Sequence, residues 1–350
     1  MKITDERISF FKDWHIKDCV VRNKNFFHFS VRNTKESHKA SAISENSVTK
    51  GEVGIYLNRD PNNCISRRTF DNMELGQLYI GSSIFDTYDE VVCIDDRGYV
   101  YARGHGHNGA EAIIQKSING PRRGSIKKVK TIHGRLYFVG STNAVAYRMG
   151  VNEWKSLCLN LPIPNDERDA FKRRVEFDLR DIDGFSHDDL YIAGGKGNVW
   201  HFTGVEWEQI HFPSNVYLET VCCAGDGFVY IGGQSGTLFK GRGNKWEKIS
   251  AGGYSLPFED IVWHAGKVWC TSDYGLWYLE DDMLVNADLP PEIAVAAGHL
   301  SVGDGVMLMA GMYGAAWHDG QKWHSLLNTV ELQTDEDDSD DADLYDEDND

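Results

Sequence analysis

The chain lacks long apolar runs and paired cysteines. No stretch stays apolar over the length that a helix needs to cross a bilayer, and the start, MKITDERISFFKDW, has no apolar signal-peptide core. The cysteines are odd in number and form no CxxC pair, which disfavours a disulfide framework or a zinc site. They occupy positions 19, 64, 93, 158, 222, 223 and 270. These absences predict a cytoplasmic protein with reduced core cysteines and no membrane segment.

The C-terminal part of the sequence lacks basic residues. Residues 331–350 contain twelve Asp or Glu and no Lys or Arg, so most of the formal net charge of −17 lies there. Like-charge repulsion and few apolar side chains predict a disordered acidic tail, which either aids solubility or attracts a basic partner. We expect no nucleic-acid partner, because binding nucleic acid normally begins with neutralisation of phosphates.

Familiar catalytic motifs are also missing. The sequence contains no GxSxG elbow, no GxxxxGK[ST] phosphate loop, no HExxH and no GxGxxG after a strand. His105 and His107, in GHGHNG, are the candidate metal ligands. A metal site needs three or four converging ligands, and no third partner is identifiable, so a polar loop is the favoured interpretation. No cofactor and no catalytic residue are predicted.

What the sequence does contain is an internal repeat. Four segments align without a gap: DDLYIAGGKGNVWHF, DGFVYIGGQSGTLFK, AGKVWCTSDYGLWYL and DGVMLMAGMYGAAWH. Tyr191, Tyr230, Trp269 and Leu308 share one position in them, at intervals of 39. A period near 40 is typical of a four-stranded propeller blade. Short apolar runs between turn residues indicate antiparallel strands rather than helices.

Weaker units upstream raise the count to seven. They centre on Phe27, Tyr101 and Tyr137, with the stretch 162–177 as an insertion before Tyr191. We predict an all-β chain, a seven-bladed β-propeller over residues 1–330 followed by the acidic tail 331–350; six or eight blades are the alternatives. The blades are placed near 16–67, 88–120, 126–159, 179–212, 218–250, 258–289 and 294–327. The recurring tryptophans Trp154, Trp207, Trp246 and Trp323 are assigned to packing between blades.

The later units resemble blades of tryptophan-aspartate and kelch propellers in their aromatic and Gly-Gly periodicity. The segment TSDYGLW also resembles the Asp-box of sialidase-like propellers, although it occurs once. These resemblances imply a fold and not an activity, because one fold hosts many functions. In size and charge the chain also resembles the acidic cytosolic propellers among the immunity proteins that bacteria keep beside secreted polymorphic toxins. That resemblance implies binding to a toxin domain.

Loop positions predict where a partner binds. If the first strand of each blade is innermost, the loops between second and third strands emerge on the same face as the links between blades. We expect the insertions at 32–50, 68–88 and 160–178 to project from that face, as binding loops on a rigid scaffold do. The predicted partner-binding residues are Lys196, Gln234, Asp273, Tyr274, Met312 and Tyr313, joined by Arg168, Phe171, Arg173 and Arg174 from the third insertion.

Two classes of function follow. The first is a non-catalytic protein-binding propeller, monomeric when free, whose partner is another protein such as a basic toxin domain. The alternative is a propeller enzyme of the glycan hydrolase, lyase or lactonase type, with its site at the mouth of the central channel. Close carboxylates or a metal in a polar axial pocket favour the enzyme, whereas an apolar plug counts against it.

Overall fold

The strands form seven four-stranded antiparallel sheets. The computed structural model describes residues 9–39, 45–71, 73–164, 176–254 and 256–330. Within these ranges each sheet comes from one continuous stretch of chain, and its strands pair in chain order. The first strand of each sheet contacts the first strands of both neighbouring sheets, so the sheets are arranged radially about a central axis. The predicted all-β, seven-bladed propeller is confirmed.

Each blade contributes four strands, with the innermost strand first. The first four blades consist of β1 (Trp14–Asn23), β2 (Phe26–Asn33), β3 (Lys50–Tyr56) and β4 (Ile65–Thr69); β5 (Leu78–Ser83), β6 (Glu90–Asp95), β7 (Val100–Gly104) and β8 (His107–Ala110); β9 (Ile126–Ile132), β10 (Arg135–Gly140), β11 (Ala144–Gly150) and β12 (Glu153–Ser156); and β13 (Asp181–Ser186), β14 (Asp189–Gly194), β15 (Asn198–Phe202) and β16 (Trp207–Gln209).

The last three blades follow the same order. They consist of β17 (Leu218–Cys223), β18 (Val229–Gly233), β19 (Thr237–Arg242) and β20 (Lys245–Ala251); β21 (Asp260–His264), β22 (Lys267–Ser272), β23 (Gly275–Glu280) and β24 (Met283–Asn286); and β25 (His299–Gly303), β26 (Val306–Gly311), β27 (Gly314–His318) and β28 (Trp323–Asn328).

Helical segments in the described ranges are short. They span Ser9–Asp13, Thr34–Lys39, Glu45–Ser47, Pro61–Asn63, Gln234–Gly236 and Pro291–Ala294. Across the described part of the chain, no helix has the length and apolar character required to span a membrane.

The repeated aromatic position lies on the second strand of the blade. Tyr191 on β14 and Tyr230 on β18 are buried, and Tyr191 pairs with Asp183 on the innermost strand. Five of the six residues of β14 are buried. Because neighbouring blades cover both faces of a central strand, such a strand is apolar throughout rather than alternating. The burial of these strands explains runs such as LYIAG and VYIGG.

The glycine that ends several second strands is required by close packing of the backbone. A Cβ atom on Gly194 would overlap the carbonyl oxygen of Asp178 and lie 2.7 Å from the Cα of Leu179. A Cβ on Gly311 would likewise overlap the carbonyl oxygen of Ala297. At this point the link from the preceding blade enters the innermost strand and crosses the end of the second strand. Glycine therefore recurs at this position of the repeat, because any side chain would overlap the backbone of the link.

The second blade differs from the sequence interpretation. Its innermost strand is β5, which lies within the 68–88 segment that we expected to be an insertion, so the blade begins at Leu78 rather than near residue 88. Tyr101 consequently lies on the third strand, not on the second. The error arose because EVVCID resembles the innermost strand LETVCC and VYARG resembles the second strand VYIGG.

The ring closes by packing between complete blades. β1 of the first blade packs against β25 and β26 of the last blade. One buried cluster unites Phe27 and Phe29 of the first blade with Leu308, Ala310 and Leu327 of the last. No strand in the described ranges is exchanged between these two blades, because each sheet is continuous in sequence. The burial of apolar side chains between the first and last blades stabilises the closed ring.

Candidate functional site

The two ends of the ring differ in the length of their loops. We call the end that carries the links between blades the loop face. It holds long connections at 34–49, 111–125 and 157–180. The opposite end, which we call the turn face, holds mainly two-residue turns such as 24–25 and 133–134. The flanking strands place the ends of the first and third predicted segments on this face, and residues 40–44 and 165–175 within them lie outside the described residues. The second predicted segment, 68–88, contains β5 and is not an insertion.

The predicted partner-binding residues that the structure describes all lie on the loop face. Each occupies a turn between the second and third strands of its blade, and each is exposed; they are Lys196, Gln234, Asp273, Tyr274, Met312 and Tyr313. The side chain of Tyr274 is 80% exposed, the largest exposure of any aromatic residue in the described ranges. Arg168, Phe171, Arg173 and Arg174 lie outside the described residues.

The two histidines considered as metal ligands lie on the turn face. They lie at the turn between β7 and β8, the third and fourth strands of the blade. The shifted assignment of this blade predicts the 104–109 loop on the loop face, and that prediction is wrong. The ring of His105 lies 4.7 Å from that of Tyr88, and His107 Nε2 lies 4.0 Å from a Glu111 oxygen. Among the described residues, no group of three His, Cys, Asp or Glu side chains is arranged to hold a metal ion.

A polar layer fills the centre of the ring. Its members lie on the innermost strands of six blades, and we call them the axial layer: Asp18, Lys128, Asp181, Thr220, Asp260 and His299. The layer separates a cavity of about 180 Å³ that opens on the loop face from one of about 450 Å³ that opens on the turn face, and Asp18 and Lys128 line both cavities. The axis is therefore polar rather than plugged by apolar side chains.

The aspartates of the axial layer join adjacent blades. Asp181 accepts the backbone amide of Val221 on the next blade at 2.8 Å, while its other oxygen accepts that of Ile182. Asp18 and Asp260 accept the amides of Ile80 and Leu300 in the same manner. Each carboxylate thus satisfies an amide of the neighbouring innermost strand that would otherwise be buried without an acceptor.

Two lysines neutralise part of this buried charge. Lys128 Nζ lies 2.5 Å from an Asp260 oxygen across the axis, and Lys130 Nζ lies 3.1 Å from Asp181. Burial alone would raise the pKa of Asp260, but the Lys128 ammonium holds that pKa well below its usual value. His299 Nδ1 contacts the same carboxylate at 3.0 Å; although burial opposes its charged form, Asp260 raises the pKa of His299.

The sequence analysis missed the axial layer although a signal for it exists. Aspartate recurs at the same point of the innermost strand in KDC, RDI and EDI, at positions 18, 181 and 260. The pairing of Lys128 with Asp260 could not be predicted, because these residues lie on blades separated in sequence and meet only when the ring closes.

Two other histidines contact each other inside the ring. His264 Nε2 and His318 Nδ1 lie 2.9 Å apart between the sixth and seventh blades. Burial, reinforced by the charge of His318, lowers the pKa of His264 to about 4. A hydrogen bond between two imidazoles needs one donor and one acceptor, so the pair is stable with at least one ring neutral.

The fold and the axis define the chain as a seven-bladed β-propeller with a polar centre and one loop-bearing face. It is 25% identical over 304 residues to a protein named Immune protein Tsi7 from Pseudomonas aeruginosa, a likeness that covers 87% of this chain and 94% of that protein. No family model matches the chain.

Solved structures share the architecture at low identity. The β-propeller domain of Doa1, described as a WD40 domain, has a TM-score of 0.56 at 11% identity, covering 86% of this chain and 90% of that one. YCF48 from Cyanidioschyzon merolae has a TM-score of 0.54 at 13% identity, covering 87% and 94%. The RRP9 WD40 repeats have 0.55 at 11%, covering 89% and 92%. These likenesses show the fold alone.

Proposed function

We propose that the chain is a non-catalytic immunity protein that binds a toxin domain and neutralises it by covering the toxin's active site. The likeness to Immune protein Tsi7 carries this proposal. It extends over nearly the whole of both chains, so the complete propeller, rather than one shared segment, is the unit of similarity. A propeller that binds another protein does so by presenting a surface, which is the task of an inhibitor.

The loop face is the proposed docking surface. It carries the exposed side chains of Tyr274, Met312 and Tyr313. Exposed aromatic and methionine side chains are enriched among the residues that anchor protein interfaces. The rigid blades hold these turns in place, so little ordering entropy is lost when a partner docks.

Basic and acidic side chains at the centre of the loop face lie on different blades, so the charge is distributed asymmetrically about the axis. Lys17, Lys127 and Arg180 border the shallow cavity on the first, third and fourth blades. Glu219 and Glu259 border it on the fifth and sixth blades. A partner with the opposite arrangement of charge is favoured in one orientation about the axis. A basic toxin surface fits beside Glu259, whereas Glu219 already pairs with Arg180 at 3.7 Å.

The axial carboxylates lie close together in a polar pocket, as the enzyme alternative requires, but their hydrogen bonds favour a structural role. Asp181 already accepts hydrogen bonds from two backbone amides, from the Thr220 hydroxyl and from Lys130. A general acid or base must exchange a proton with substrate, and a carboxylate saturated by structural donors is poorly suited to that role.

We also propose that the protein binds its partner in the cytoplasm, because the seven free thiols suit a reducing compartment.

Removing the two loop-face tyrosines together, Tyr274→Ala with Tyr313→Ala, is expected to abolish stoichiometric capture of the partner from a native lysate. Hot-spot aromatic residues each contribute about 2 kcal/mol or more, so the loss of both tyrosines is expected to weaken binding about 1,000-fold. The measurement is affinity purification with the tagged full-length protein, followed by titration of the recovered partner.

The matched control removes exposed apolar side chains from the turn face. Val205 and Met283, which are 88% and 65% exposed, lie at turns on that face. The Val205→Ala, Met283→Ala variant is expected to capture the partner as the unaltered protein does. Equal capture by the tyrosine variant, or loss confined to the control variant, would overturn the assignment of the loop face.

A further inference from the structure

The larger of the two axial cavities opens on the turn face, away from the proposed docking surface. It has a volume of about 450 Å³ and is lined by residues of all seven innermost strands. This volume lies within the range of pockets that hold a small molecule or one or two inserted side chains. The short turns around it leave the opening accessible to a protruding group.

Apolar side chains form the rim of this cavity. Ile84 and Val302 line it and are 47% and 38% exposed, and half-buried Trp263 lines it from the sixth blade. Phe85, next to Ile84, is also exposed, with the Arg135 guanidinium 4.0 Å above its ring. Exposed apolar side chains gathered around an opening are typical of a binding surface rather than of solvent-facing turns.

The floor of the cavity includes the carboxylate of Asp183, which can accept further hydrogen bonds. Asp183 lines the cavity and accepts the backbone amide of Cys223 at 2.8 Å. Its neighbour Lys130 is already bonded to Asp181 and, at 2.9 Å, to the carbonyl of Val221. A carboxylate has about four lone-pair sites, so Asp183 can accept further donors from the cavity side.

Negative charge is in excess at the floor. Four carboxylates and three cationic side chains line the cavity: Asp18, Asp183, Asp260 and Asp304 against Arg22, Lys128 and Lys130. Burial raises the pKa of Asp183, and the nearby Lys130 ammonium offsets only part of that effect. A cation placed beside Asp183 would supply the missing compensation.

We propose that this cavity is a second binding site, which accepts the guanidinium or ammonium group of an Arg or Lys from a protein segment with apolar neighbours. The charged group pairs with Asp183, and the apolar neighbours of that Arg or Lys in the segment pack against Ile84, Trp263 and Val302 at the rim. The apolar rim favours a protein segment as the source, because a free cation has no apolar neighbours to place against it. The site is independent of the proposed function, since it lies at the other end of the ring.

The test uses the full-length chain and three probes: acetyl-Ile-Arg-Ile-amide, the same peptide with Gln in place of Arg, and agmatine as the free guanidinium. Calorimetric titration is expected to show the Arg peptide binding at least tenfold more tightly than the Gln peptide. Asp183→Asn, which keeps the shape and the Cys223 bond, is expected to weaken the Arg peptide at least tenfold. Asp188→Asn, at an exposed turn of the same face, is expected to leave it unchanged.

A second variant measures the contribution of the apolar rim to binding and leaves Asp183 on the floor unchanged. Ile84→Ser with Val302→Ser is expected to weaken the Arg peptide several-fold while leaving agmatine unchanged. Equal binding of the Arg and Gln peptides, or of the Arg peptide to the Asp183→Asn and unaltered proteins, would overturn the site. Agmatine binding as tightly as the peptide would overturn the protein segment as its occupant.

Discussion

Replacing Asp181 with alanine is expected to lower the free energy of unfolding by about 3–5 kcal/mol, the cost of breaking a buried ion pair from one side. The substitution removes the acceptor of the Val221 amide and of the Thr220 hydroxyl, and it takes from Lys130 its partner at 3.1 Å. The Val221 amide and the Thr220 hydroxyl are then buried without this acceptor, and Lys130 keeps only its bond to the Val221 carbonyl at 2.9 Å. Urea denaturation followed by tryptophan fluorescence measures the change.

Two companion variants identify the cause of that loss. Asp181→Asn keeps an oxygen acceptor but removes the charge. Its free energy of unfolding is therefore expected to lie between those of the alanine variant and the unaltered protein. Asp188→Ala, at an exposed turn position, is expected to change the free energy of unfolding by less than about 0.5 kcal/mol. A neutral Asp181→Ala variant would show that the axial layer does not hold the blades together.

Replacing Gly194 with valine is expected to destabilise the protein by about 3 kcal/mol or more, or to prevent its folding. The new side chain would meet the backbone of Asp178 and Leu179, and backbone atoms cannot move aside as a side chain does. Overpacking of this kind typically costs about 1–3 kcal/mol, and contact with the backbone places it at the upper end. Thermal unfolding and the yield of folded protein measure the effect.

Gly109→Ala serves as the comparison for that variant. A Cβ there meets its first neighbour, the His107 ring, at 3.9 Å, which is ordinary contact. We expect this variant to unfold within a few degrees of the unaltered protein. If Gly194→Val folds with normal stability, the close approach of the link between blades does not explain the repeated glycine.

Sequence reasoning succeeded where each blade repeats its neighbour. The interval of 39 between Tyr191, Tyr230, Trp269 and Leu308 fixed the fold, because one position of the blade always packs in the same environment. The second blade was misassigned by one strand, since its second strand, EVVCID, lacks both the aromatic residue and the final glycine. Local patterns cannot distinguish two buried strands of similar composition.

The sites were harder to predict than the fold. The turn positions of Tyr274 and Tyr313 followed from the repeat, and the structure places them on one exposed face with Lys196. A site at the mouth of the central channel was considered from the sequence, but the residues that line the turn-face cavity could not be predicted, because they come from innermost strands of all seven blades. A pocket assembled by ring closure has no contiguous motif, and the residues around it, such as Asp183 and Val302, look unremarkable in their own segments.

The fold also constrains how an immunity protein of this kind would act. Blade-to-blade bonds such as those of Asp18 and Asp260 hold the ring as a unit, so the loop face is presented with little rearrangement. A preorganised surface gains affinity because few side chains and loops must be ordered on binding. Neutralisation would then depend on how completely the long connections cover the toxin's cleft.

Co-expression tests this role most directly. The partner recovered by affinity purification would be expressed in a host cell alone, with the full-length protein, and with the Tyr274→Ala, Tyr313→Ala variant. We expect the partner alone to stop growth, the full-length protein to restore it, and the tyrosine variant to fail although it is folded and equally abundant. A partner that is harmless by itself, or equal rescue by both forms of the protein, would contradict the proposed immunity function or its loop-face mechanism, respectively.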